Sequence, residues 1–194
     1  YAEYTVADRR FCFAIPAVLS DIQAAPLLCA GLIGFRALQM AKDARHLGLY
    51  GFGAAAHLAI QVARGRGQRV YAFTRPEDSE GQAYARSLGA EWAGPSDQPP
   101  PHLLDASLIF APVGALVPAA LAVTVKGGCV ICAGIHMSDI PAFPYRLLWG
   151  ERSVRSVANL TREDGRRFFE VLQHTPVHCD ITRFALDDAN QALA

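Results

Sequence analysis

Short apolar runs alternate with longer stretches of helical periodicity along most of the chain. The apolar runs, bounded by glycine, proline or polar residues, predict strands at residues 47–50, 69–73, 90–93, 104–110, 129–133 and 153–158. The stretches between them predict helices at residues 54–63, 77–88, 115–125 and 161–173. Strands that alternate with helices form a parallel sheet covered on both faces. We therefore predict an α/β fold, a doubly wound six-stranded parallel sheet (Rossmann) with strand order 3-2-1-4-5-6.

The segment before the first of these strands has a less regular pattern. An alternating run at Tyr1–Val6 predicts a further strand. Ser20 is a favourable N-cap residue, and the apolar helical region that follows it contains Gly31 and Gly34. These glycines indicate a break or a close helix contact, so we expect two helices with the break near Cys29.

The two ends of the chain set the expected domain organisation. The first residue is Tyr1 rather than methionine, so we infer that the native chain extends upstream. Near the other end, residues 181–186 are predicted to be extended and Asp187 to start a last helix. We divide the chain into residues 1–20, a remnant of a preceding domain, residues 21–180, the dinucleotide-binding sheet domain, and residues 181–194, the start of a C-terminal return segment.

A glycine-rich turn, GFGAAA at residues 51–56, joins the first predicted strand to its helix. Its spacing, G-x-G-x-x-A between a strand and a helix, is typical of a dinucleotide-binding turn. Gly51 permits the tight turn, Gly53 lets a pyrophosphate approach the backbone, and Ala56 lets the helix lie close to the strand. The helix N-terminus would then face the phosphates. The alternative is a helix start whose small residues serve side-chain packing alone.

The predicted topology also indicates where a ligand would bind. In a doubly wound sheet, ligands bind outside the carboxyl ends of the strands, at the switch between the first and fourth strands. The turns that end there supply the candidate cofactor-binding residues, which are Gly51, Gly53, Ala54, Ala55, Thr74, Arg75, Ala111, Pro112, Val113, Gly134, Ile135 and His136.

The end of the second predicted strand indicates which dinucleotide is preferred. Sites that prefer NAD place Asp or Glu there, about 20 residues after the turn, to bind the ribose hydroxyls. Thr74 and Arg75 occupy this place, and a hydroxyl beside a guanidinium suits the 2′-phosphate of NADP. We therefore expect NADP(H) to be favoured over NAD(H). Glu77 and Asp78 oppose this expectation, since they would repel a phosphate or bind ribose hydroxyls instead.

Charge and hydropathy argue against two classes of partner. Lys and Arg together number 18, as do Asp and Glu, so the formal net charge is zero. A chain without excess positive charge is not expected to bind nucleic acid. No apolar run reaches the ~18 residues that span a bilayer. No signal peptide is visible in YAEYTVADRR, so we expect no membrane association.

The five cysteines do not suggest a disulfide framework, because their number is odd and their spacing irregular. A reducing cytoplasm is the simpler interpretation. Cys129 and Cys132 form C-x-x-C, but residues three apart in a strand point to opposite faces. We therefore do not expect them to form a redox disulfide or to share a metal.

Several motifs carry a resemblance to a known family. LLCAGLIGFRAL at residues 27–38 resembles A-P-L-x-C-A-G-x-T-x-Y-x-A-L, with Ile33 and Phe35 as departures. GFGAAAHLAIQVA resembles G-x-G-G-x-G-H-x-A-x-Q-x-A, and KGGCVICAGI resembles K-G-G-x-V-x-x-x-G. FALDDANQAL resembles the closing segment of the same family. Together they resemble the cofactor domain of the zinc-dependent medium-chain alcohol dehydrogenases, over nearly the whole chain.

The resemblance implies an oxidoreductase that transfers hydride between its substrate and NAD(P), with zinc in the intact enzyme. The substrate would be an alcohol in one direction and an aldehyde or ketone in the other. The cysteine of the family's C-A-G is a ligand of the catalytic zinc, so Cys29 is the candidate metal ligand. The other ligands lie in the family's preceding catalytic domain, so residues 1–20 would be its remnant and the chain alone is expected to be inactive. Family members often dimerise edge to edge, which here would involve the sixth strand, residues 153–158.

Alternatives accompany these expectations. The chain could be a non-catalytic dinucleotide-binding module or part of a zinc-free reductase. Cys29 could be a buried small hydrophobe. His57 fits the family's G-H, but we interpret it as a packed or solvent-facing neutral histidine rather than a catalytic one. His136 could contact cofactor or substrate, or be an exposed loop histidine.

Overall fold

Six strands form one sheet at the centre of the computed structural model, which describes residues 2–41 and 43–193. They are β1 His46–Tyr50, β2 Arg69–Thr74, β3 Trp92–Pro95, β4 Leu104–Ile109, β5 Thr124–Cys132 and β6 Ser153–Ser156. Neighbouring strands follow the order β3-β2-β1-β4-β5-β6, and each pair is parallel. The predicted fold class and strand order are therefore confirmed.

Helices connect the strands and cover both faces of the sheet. In the described residues they are α1 Asp21–Ala24, α2 Ala30–Met40, α3 Ala54–Gly65, α4 Ser79–Ser87, α5 Leu116–Ala122, α6 Arg162–Leu172 and α7 Ala189–Leu193. Short 3-10 turns lie at Arg9–Phe11, Ala25–Leu27, Tyr145–Leu147 and Leu186–Asp188. Asp187, predicted to start the last helix, thus lies in the turn that precedes α7.

The alternation of side chains in the strands places a large apolar cluster on each face of the sheet. Leu47 and Leu49 of β1 belong to a cluster that also contains buried residues of α2, α3 and α6. Tyr50 belongs to a second cluster, on the opposite face, with buried residues of α5. Residues of both clusters are close to fully buried, as expected for a parallel sheet covered on each face.

The predicted break near Cys29 is confirmed. Residues 21–27 and α2 are inclined at 52° to each other, and Cys29 is the N-cap of α2. The predicted close contact is also present, because a Cβ on Gly34 would lie 3.0 Å from the carbonyl oxygen of Ala55 in α3. Within the described ranges no single helix is long and apolar enough to cross a membrane, although the bent pair passes by length and composition alone.

Several element predictions are wrong. Residues 2–6 of the predicted strand Tyr1–Val6 form no strand, while Tyr1 lies outside the described residues. Tyr4 and Val6 are 90% and 101% exposed, so no neighbouring strand covers this segment. The helix predicted at 115–125 ends at Ala122, and β5 starts at Thr124 rather than 129.

The early start of β5 has a local cause. Thr124 and Val125 are β-branched, which favours extended backbone. Thr124 pairs with Leu104, but the register shifts before the next pairs of β4 and β5. Gly127, with φ +76°, lies in this irregularity, so a bulge interrupts the strand at Gly127 and Gly128.

The C-x-x-C pair behaves as predicted from its spacing. Cys129 packs against the cluster that contains Leu47, whereas Cys132 is buried in the cluster that contains Tyr50. The two thiols therefore lie on opposite faces of β5. All five cysteines are free thiols.

Candidate dinucleotide site

A cavity of about 340 Å³ lies at the carboxyl ends of the central strands. It is located where β1 continues into α3 on one face of the sheet while its neighbour β4 continues into α5 on the other. This is the switch point at which doubly wound sheets bind their ligands. The cavity is lined by Gly51, Phe52, Phe73, Thr74, Arg75, Pro76, Asp78, Ser96, Ala111, Val113 and Leu116.

Gly51 makes the turn that opens the cavity. Its φ is +83°, a conformation that favours glycine. Its N–H donates to the carbonyl oxygen of Phe73 at 2.9 Å. A Cβ at this position would lie 2.7 Å from the amide nitrogen of Ala111, so the turn and the end of β4 lie too close for any side chain. The predicted role of Gly51 in a tight turn is confirmed.

Gly53 is the N-cap of α3 and has a different environment. Its backbone is extended, and a Cβ added to it would meet no atom within 4 Å. The first intrahelical bond runs from the N–H of His57 to the carbonyl of Gly53, so the preceding N–H groups at residues 54–56 have no intrahelical partner. No side chain caps the helix. Open space and free N–H groups at a helix N-terminus fit an anionic ligand.

Small residues in the first turn of α3 divide into two groups. Ala54 is exposed and Ala55 is half-buried, and neither lines the cavity. Ala56 is fully buried in the cluster that contains Leu47. The predicted role of Ala56, which is to let the helix lie close to the strand, is confirmed.

The end of β2 brings a hydroxyl and a guanidinium to the cavity. Thr74 is 5% exposed; its hydroxyl donates to the carbonyl of Arg75 at 3.0 Å and accepts a bond from the side-chain amide of Gln82 at 3.1 Å. Arg75 is exposed, and its Nε lies 3.9 Å from a carboxylate oxygen of Glu77, too far for a strong ion pair. The guanidinium is thus the group at this end that remains available to a ligand.

Asp78 also lines the cavity, but its carboxylate has a structural function. It is the N-cap of α4, and its Oδ1 accepts the N–H of Gly81 at 2.9 Å. One carboxylate oxygen is therefore already bonded within the protein. The carboxylate keeps its negative charge, which opposes a phosphate beside Arg75.

The end of β4 forms the opposite wall. Ala111 donates its N–H to the carbonyl of Tyr50 at 3.2 Å, which ties this end to the turn at Gly51. Val113 is 43% exposed and lines the cavity. Pro112 is exposed, and its carbonyl accepts the N–H of Ser138 at 3.2 Å, so it lies outside the lining.

The loop after β5 lies beyond the cavity. Gly134 donates its N–H to the carbonyl of Ile109 at 3.0 Å, and a Cβ on it would lie 2.9 Å from the carbonyl oxygen of Phe110. Ile135 is 79% exposed. His136 is exposed and has φ +55°, which is uncommon for a residue other than glycine. These residues follow the strand end as predicted, although none lines the cavity itself.

Cys29 lies at the break between residues 21–27 and α2, and its side chain is exposed. The alternative of a buried small hydrophobe is therefore wrong. Over the ranges 2–41 and 43–193, no group of three or more His, Cys, Asp or Glu side chains has the geometry to hold a metal ion. The described part of the chain thus presents Cys29 as an exposed thiol without a complete metal centre around it.

Sequence reasoning missed several lining residues, namely Phe52, Phe73, Pro76, Ser96 and Leu116. Ser96 was missed because β3 was predicted to end at residue 93, whereas it extends to Pro95, and the N–H of Ser96 donates to the carbonyl of Thr74 at 3.0 Å. The position of Ser96 after a strand on the same edge of the sheet would have identified it.

Comparisons with known proteins agree with this fold and site. No family model matches the chain. The "Probable alcohol dehydrogenase AdhA" of Mycobacterium tuberculosis is 40% identical over 196 residues, which cover all of this chain and 56% of that protein. The chain spans between 56% and 59% of the length of this and two other curated alcohol dehydrogenases that it matches.

Solved structures show the same fold. A cinnamyl alcohol dehydrogenase, SbCAD4 of Sorghum bicolor, superimposes with a TM-score of 0.79 at 24% identity, over 92% of this chain and 53% of that one. Acetophenone reductase of Geotrichum candidum, solved in complex with NAD, superimposes with a TM-score of 0.80 at 20% identity, over 93% of this chain and 54% of that one. With its fold, its glycine turn and a match to an alcohol dehydrogenase over the whole of this chain, the chain belongs to the alcohol dehydrogenase family and comprises its dinucleotide-binding domain.

Proposed function

We propose that this chain is the cofactor half of an enzyme that transfers hydride between a small substrate and a nicotinamide dinucleotide. The substrate is an alcohol in one direction and an aldehyde or ketone in the other. The turn at Gly51 and Gly53 carries the proposal, because it combines a positive φ, open space over the second glycine and unpaired N–H groups beside a cavity. These are the features that a pyrophosphate requires. The names of the relatives support an alcohol as the substrate.

The adenosine end of the cofactor would occupy the cavity between the ends of β2 and β4. We propose that NADP(H) is favoured over NAD(H). Arg75 is an exposed guanidinium at the end of β2, and the Thr74 hydroxyl beside it is bonded within the protein. A guanidinium binds a phosphate with two parallel charge-assisted hydrogen bonds. The carboxylates of Glu77 and Asp78 oppose this preference, and the proposal rests on the guanidinium as the cationic group that a 2′-phosphate would meet beside the cavity.

The nicotinamide end would extend toward the loop after β5, where Gly134, Ile135 and His136 follow the sheet. Ile135 and His136 are exposed and therefore free to contact a cofactor or a substrate. Hydride transfer requires the nicotinamide and the alcohol carbon to be held together in a dry site. This chain would supply one wall of that site.

Cys29 would provide one ligand of a zinc ion in the intact enzyme. Its thiol is exposed at a helix start, and a thiolate is a preferred zinc ligand. A zinc ion in such a site polarises the alcohol oxygen and favours the alkoxide. Since three protein ligands are typical of catalytic zinc, the remaining ligands would come from residues outside this chain, and the chain alone would be inactive.

Two further properties of the intact protein are proposed. β6 is an edge strand of the sheet, and an exposed edge can pair with the same edge of a second copy, giving a homodimer. Five free thiols are consistent with a reducing compartment such as the cytoplasm. A net charge of zero gives no support to a nucleic-acid partner.

The test is an assay of the intact protein with primary and secondary alcohols, following formation of the reduced nicotinamide with NADP and with NAD. We expect turnover that a zinc chelator abolishes. Turnover that survives full removal of metal would favour a zinc-free reductase. Binding of a dinucleotide without turnover on any alcohol or carbonyl substrate would favour a non-catalytic module. Failure of calorimetry to detect binding of either dinucleotide would overturn the proposal.

A further inference from the structure

His57 makes a direct contact with the glycine turn. It lies in the first turn of α3, and its Nε2 is 2.9 Å from the carbonyl oxygen of Phe52. Phe52 is the residue between Gly51 and Gly53. A carbonyl oxygen only accepts hydrogen bonds, so the proton of the imidazole must be on Nε2. The sequence predicts a packed or solvent-facing neutral histidine at this position, and the contact gives His57 a more specific place.

The surroundings of the His57 ring favour one charge state and one orientation. The ring is half-buried between the rings of Phe52 and Tyr84, at centroid distances of 4.9 and 4.8 Å. Burial lowers the pKa of His57, partly offset by the bond to Phe52 and the charge of Asp180. A neutral ring also suits the first turn of a helix, where the dipole disfavours a cation.

A segment near the C-terminus fixes the aromatic neighbour of His57. The hydroxyl of Tyr84 donates to Oδ2 of Asp180 at 2.7 Å. The backbone next to Asp180 is bonded to α3 by two hydrogen bonds with the Gln61 side chain. The side-chain NH2 group of Gln61 donates to the His178 carbonyl at 2.9 Å, and the side-chain oxygen of Gln61 accepts the His178 N–H at 2.7 Å. Tyr84 is therefore held from both α4 and this segment.

The bond to Phe52 constrains the peptide unit that enters Gly53. A trans peptide is planar, and its C=O and N–H point in opposite directions. Fixing the Phe52 carbonyl toward the His57 ring therefore fixes the direction of the Gly53 N–H. Packing does not fix this peptide from the other side, because Gly53 has no side chain and no protein atom lies within 4 Å of where its Cβ would be.

We propose that His57 is a positioning residue for the glycine turn, and that Tyr84 and Asp180 hold the His57 ring in place. This inference rests on the proposed function, because it concerns how the turn binds the pyrophosphate of a dinucleotide. His57 contacts no cofactor atom itself and acts through the Phe52–Gly53 peptide. The net free energy of one such hydrogen bond corresponds to about a fivefold to tenfold change in affinity.

The test compares three forms of the intact protein by calorimetry, namely wild type, His57→Leu and His57→Gln, with NADPH, NADH and adenosine as ligands. Leu removes the donor, while the amide of Gln retains one at a similar reach. We expect Leu to weaken the preferred dinucleotide about fivefold to tenfold and Gln to remain within about threefold of wild type. Adenosine carries no phosphate, so its affinity should be the same in all three forms.

Controls separate positioning from stability. Tyr84→Phe removes the bond to Asp180 and should weaken the dinucleotide by a smaller factor, about twofold, without affecting adenosine. His174→Leu, at an exposed histidine after α6, should have no effect. Equal losses for adenosine and dinucleotide in His57→Leu, or Gln binding as weakly as Leu, would overturn the inference.

The proposed function fails separately. If wild type binds neither NADPH nor NADH, the proposed function is wrong and the inference falls with it. If wild type binds a dinucleotide and His57→Leu binds it equally well, only the inference is wrong. Melting temperatures of the variants, measured alongside, identify any form that does not fold, and Tyr84→Phe then supplies the decisive comparison.

Discussion

Gly51 and Ala111 lie so close together that a Cβ on the glycine would be 2.7 Å from both the amide nitrogen and the Cβ of the alanine. This contact joins the turn after β1 to the end of β4, which are the two walls of the cavity. The obstacle is backbone rather than a flexible side chain, so it cannot move aside without shifting the strand. The positive φ of Gly51 adds a second cost for any other residue.

We predict that Gly51→Ala destabilises the fold and abolishes dinucleotide binding. Strain at a positive φ and a contact with backbone together should lower the free energy of unfolding by about 2–4 kcal/mol. Urea unfolding followed by circular dichroism measures this loss. A Gly51→Ala protein as stable as wild type would show that the turn adopts another conformation.

Gly53→Ala provides the matched comparison. Its Cβ would meet no protein atom, and its φ is negative, so the free energy of unfolding should change by less than about 1 kcal/mol. The added methyl group would occupy the space through which a pyrophosphate approaches. We therefore expect dinucleotide affinity to fall about tenfold or more while adenosine affinity is retained. Retention of full dinucleotide affinity would contradict the assignment of this face to the phosphates.

Cys29 and Cys132 should respond to substitution in opposite ways. Cys29 is exposed, so Cys29→Ser should change the free energy of unfolding by less than about 0.5 kcal/mol but remove zinc from the intact protein. Cys132 is 8% exposed within an apolar cluster, and burial raises the pKa of its thiol, so it stays protonated. Cys132→Ser should cost about 1–3 kcal/mol and leave zinc content unchanged. Mass spectrometry of bound metal and urea unfolding measure the two effects, and zinc that survives Cys29→Ser would exclude this ligand.

The strand order could be predicted from the sequence because it follows from local patterns. Apolar runs, helical periodicity and the glycine turn each leave a signal within a few residues, and the parallel topology then allows few arrangements. The start of β5 could not be predicted in this way. Whether Gly127 ends a segment or forms a bulge within a strand depends on the register with β4, which is a tertiary property.

The candidate site was predictable only in part for a similar reason. Strand ends identified Gly51, Thr74, Arg75, Ala111 and Val113, all of which line the cavity. The side-chain bond between Gln82 and Thr74 changes what the Thr74 hydroxyl can do, although nothing in the order of residues indicates it. The contact between His57 and Phe52 depends on ring orientation set by Tyr84 and is likewise invisible in the sequence.

Arg75 should determine the choice between the two dinucleotides. Arg75→Ala removes the exposed guanidinium at the end of β2, and charge-assisted hydrogen bonds contribute about 1.5–3 kcal/mol. NADPH affinity should therefore fall about 10-fold to 100-fold while NADH affinity stays within about threefold. Glu77→Gln is the opposite control, since it removes a carboxylate 3.9 Å from Arg75 and should leave NADPH affinity equal or tighter. Calorimetric titration checks both, and unchanged NADPH binding by Arg75→Ala would make the proposed preference wrong.

Asp164 should make stability depend on pH at the acidic end. It is 5% exposed, and its Oδ2 accepts the backbone N–H and the hydroxyl of Thr161, both at 2.7 Å, in a capping box at the start of α6. The Arg36 guanidinium lies 3.3 Å from Oδ1. Burial acts to raise the pKa of Asp164, but the bonds from Thr161 and the charge of Arg36 outweigh it, so the pKa is lowered.

The sign of the pH effect follows from that lowered pKa. The unfolded chain binds a proton at Asp164 more readily than the folded chain does. The stabilisation from Asp164 is therefore complete above the unfolded-state pKa of about 3.9 and is lost as the pH falls through the lower, folded-state pKa. Asp164→Asn should lower the free energy of unfolding by about 1–3 kcal/mol at pH 7, and this difference should shrink below about pH 4.

Urea unfolding of wild type and Asp164→Asn across the acidic range measures this dependence directly. Glu163→Gln is the control, because Glu163 pairs with Arg167 and Arg166 on the exposed surface of α6. Exposed ion pairs contribute little, so this variant should differ from wild type by less than about 0.5 kcal/mol at every pH. A difference for Asp164→Asn that persists unchanged at low pH would show that it arises from lost shape rather than from the charge. In that case the lost packing of the Asp164 side chain, and not its ion pair with Arg36 of α2, would account for the difference.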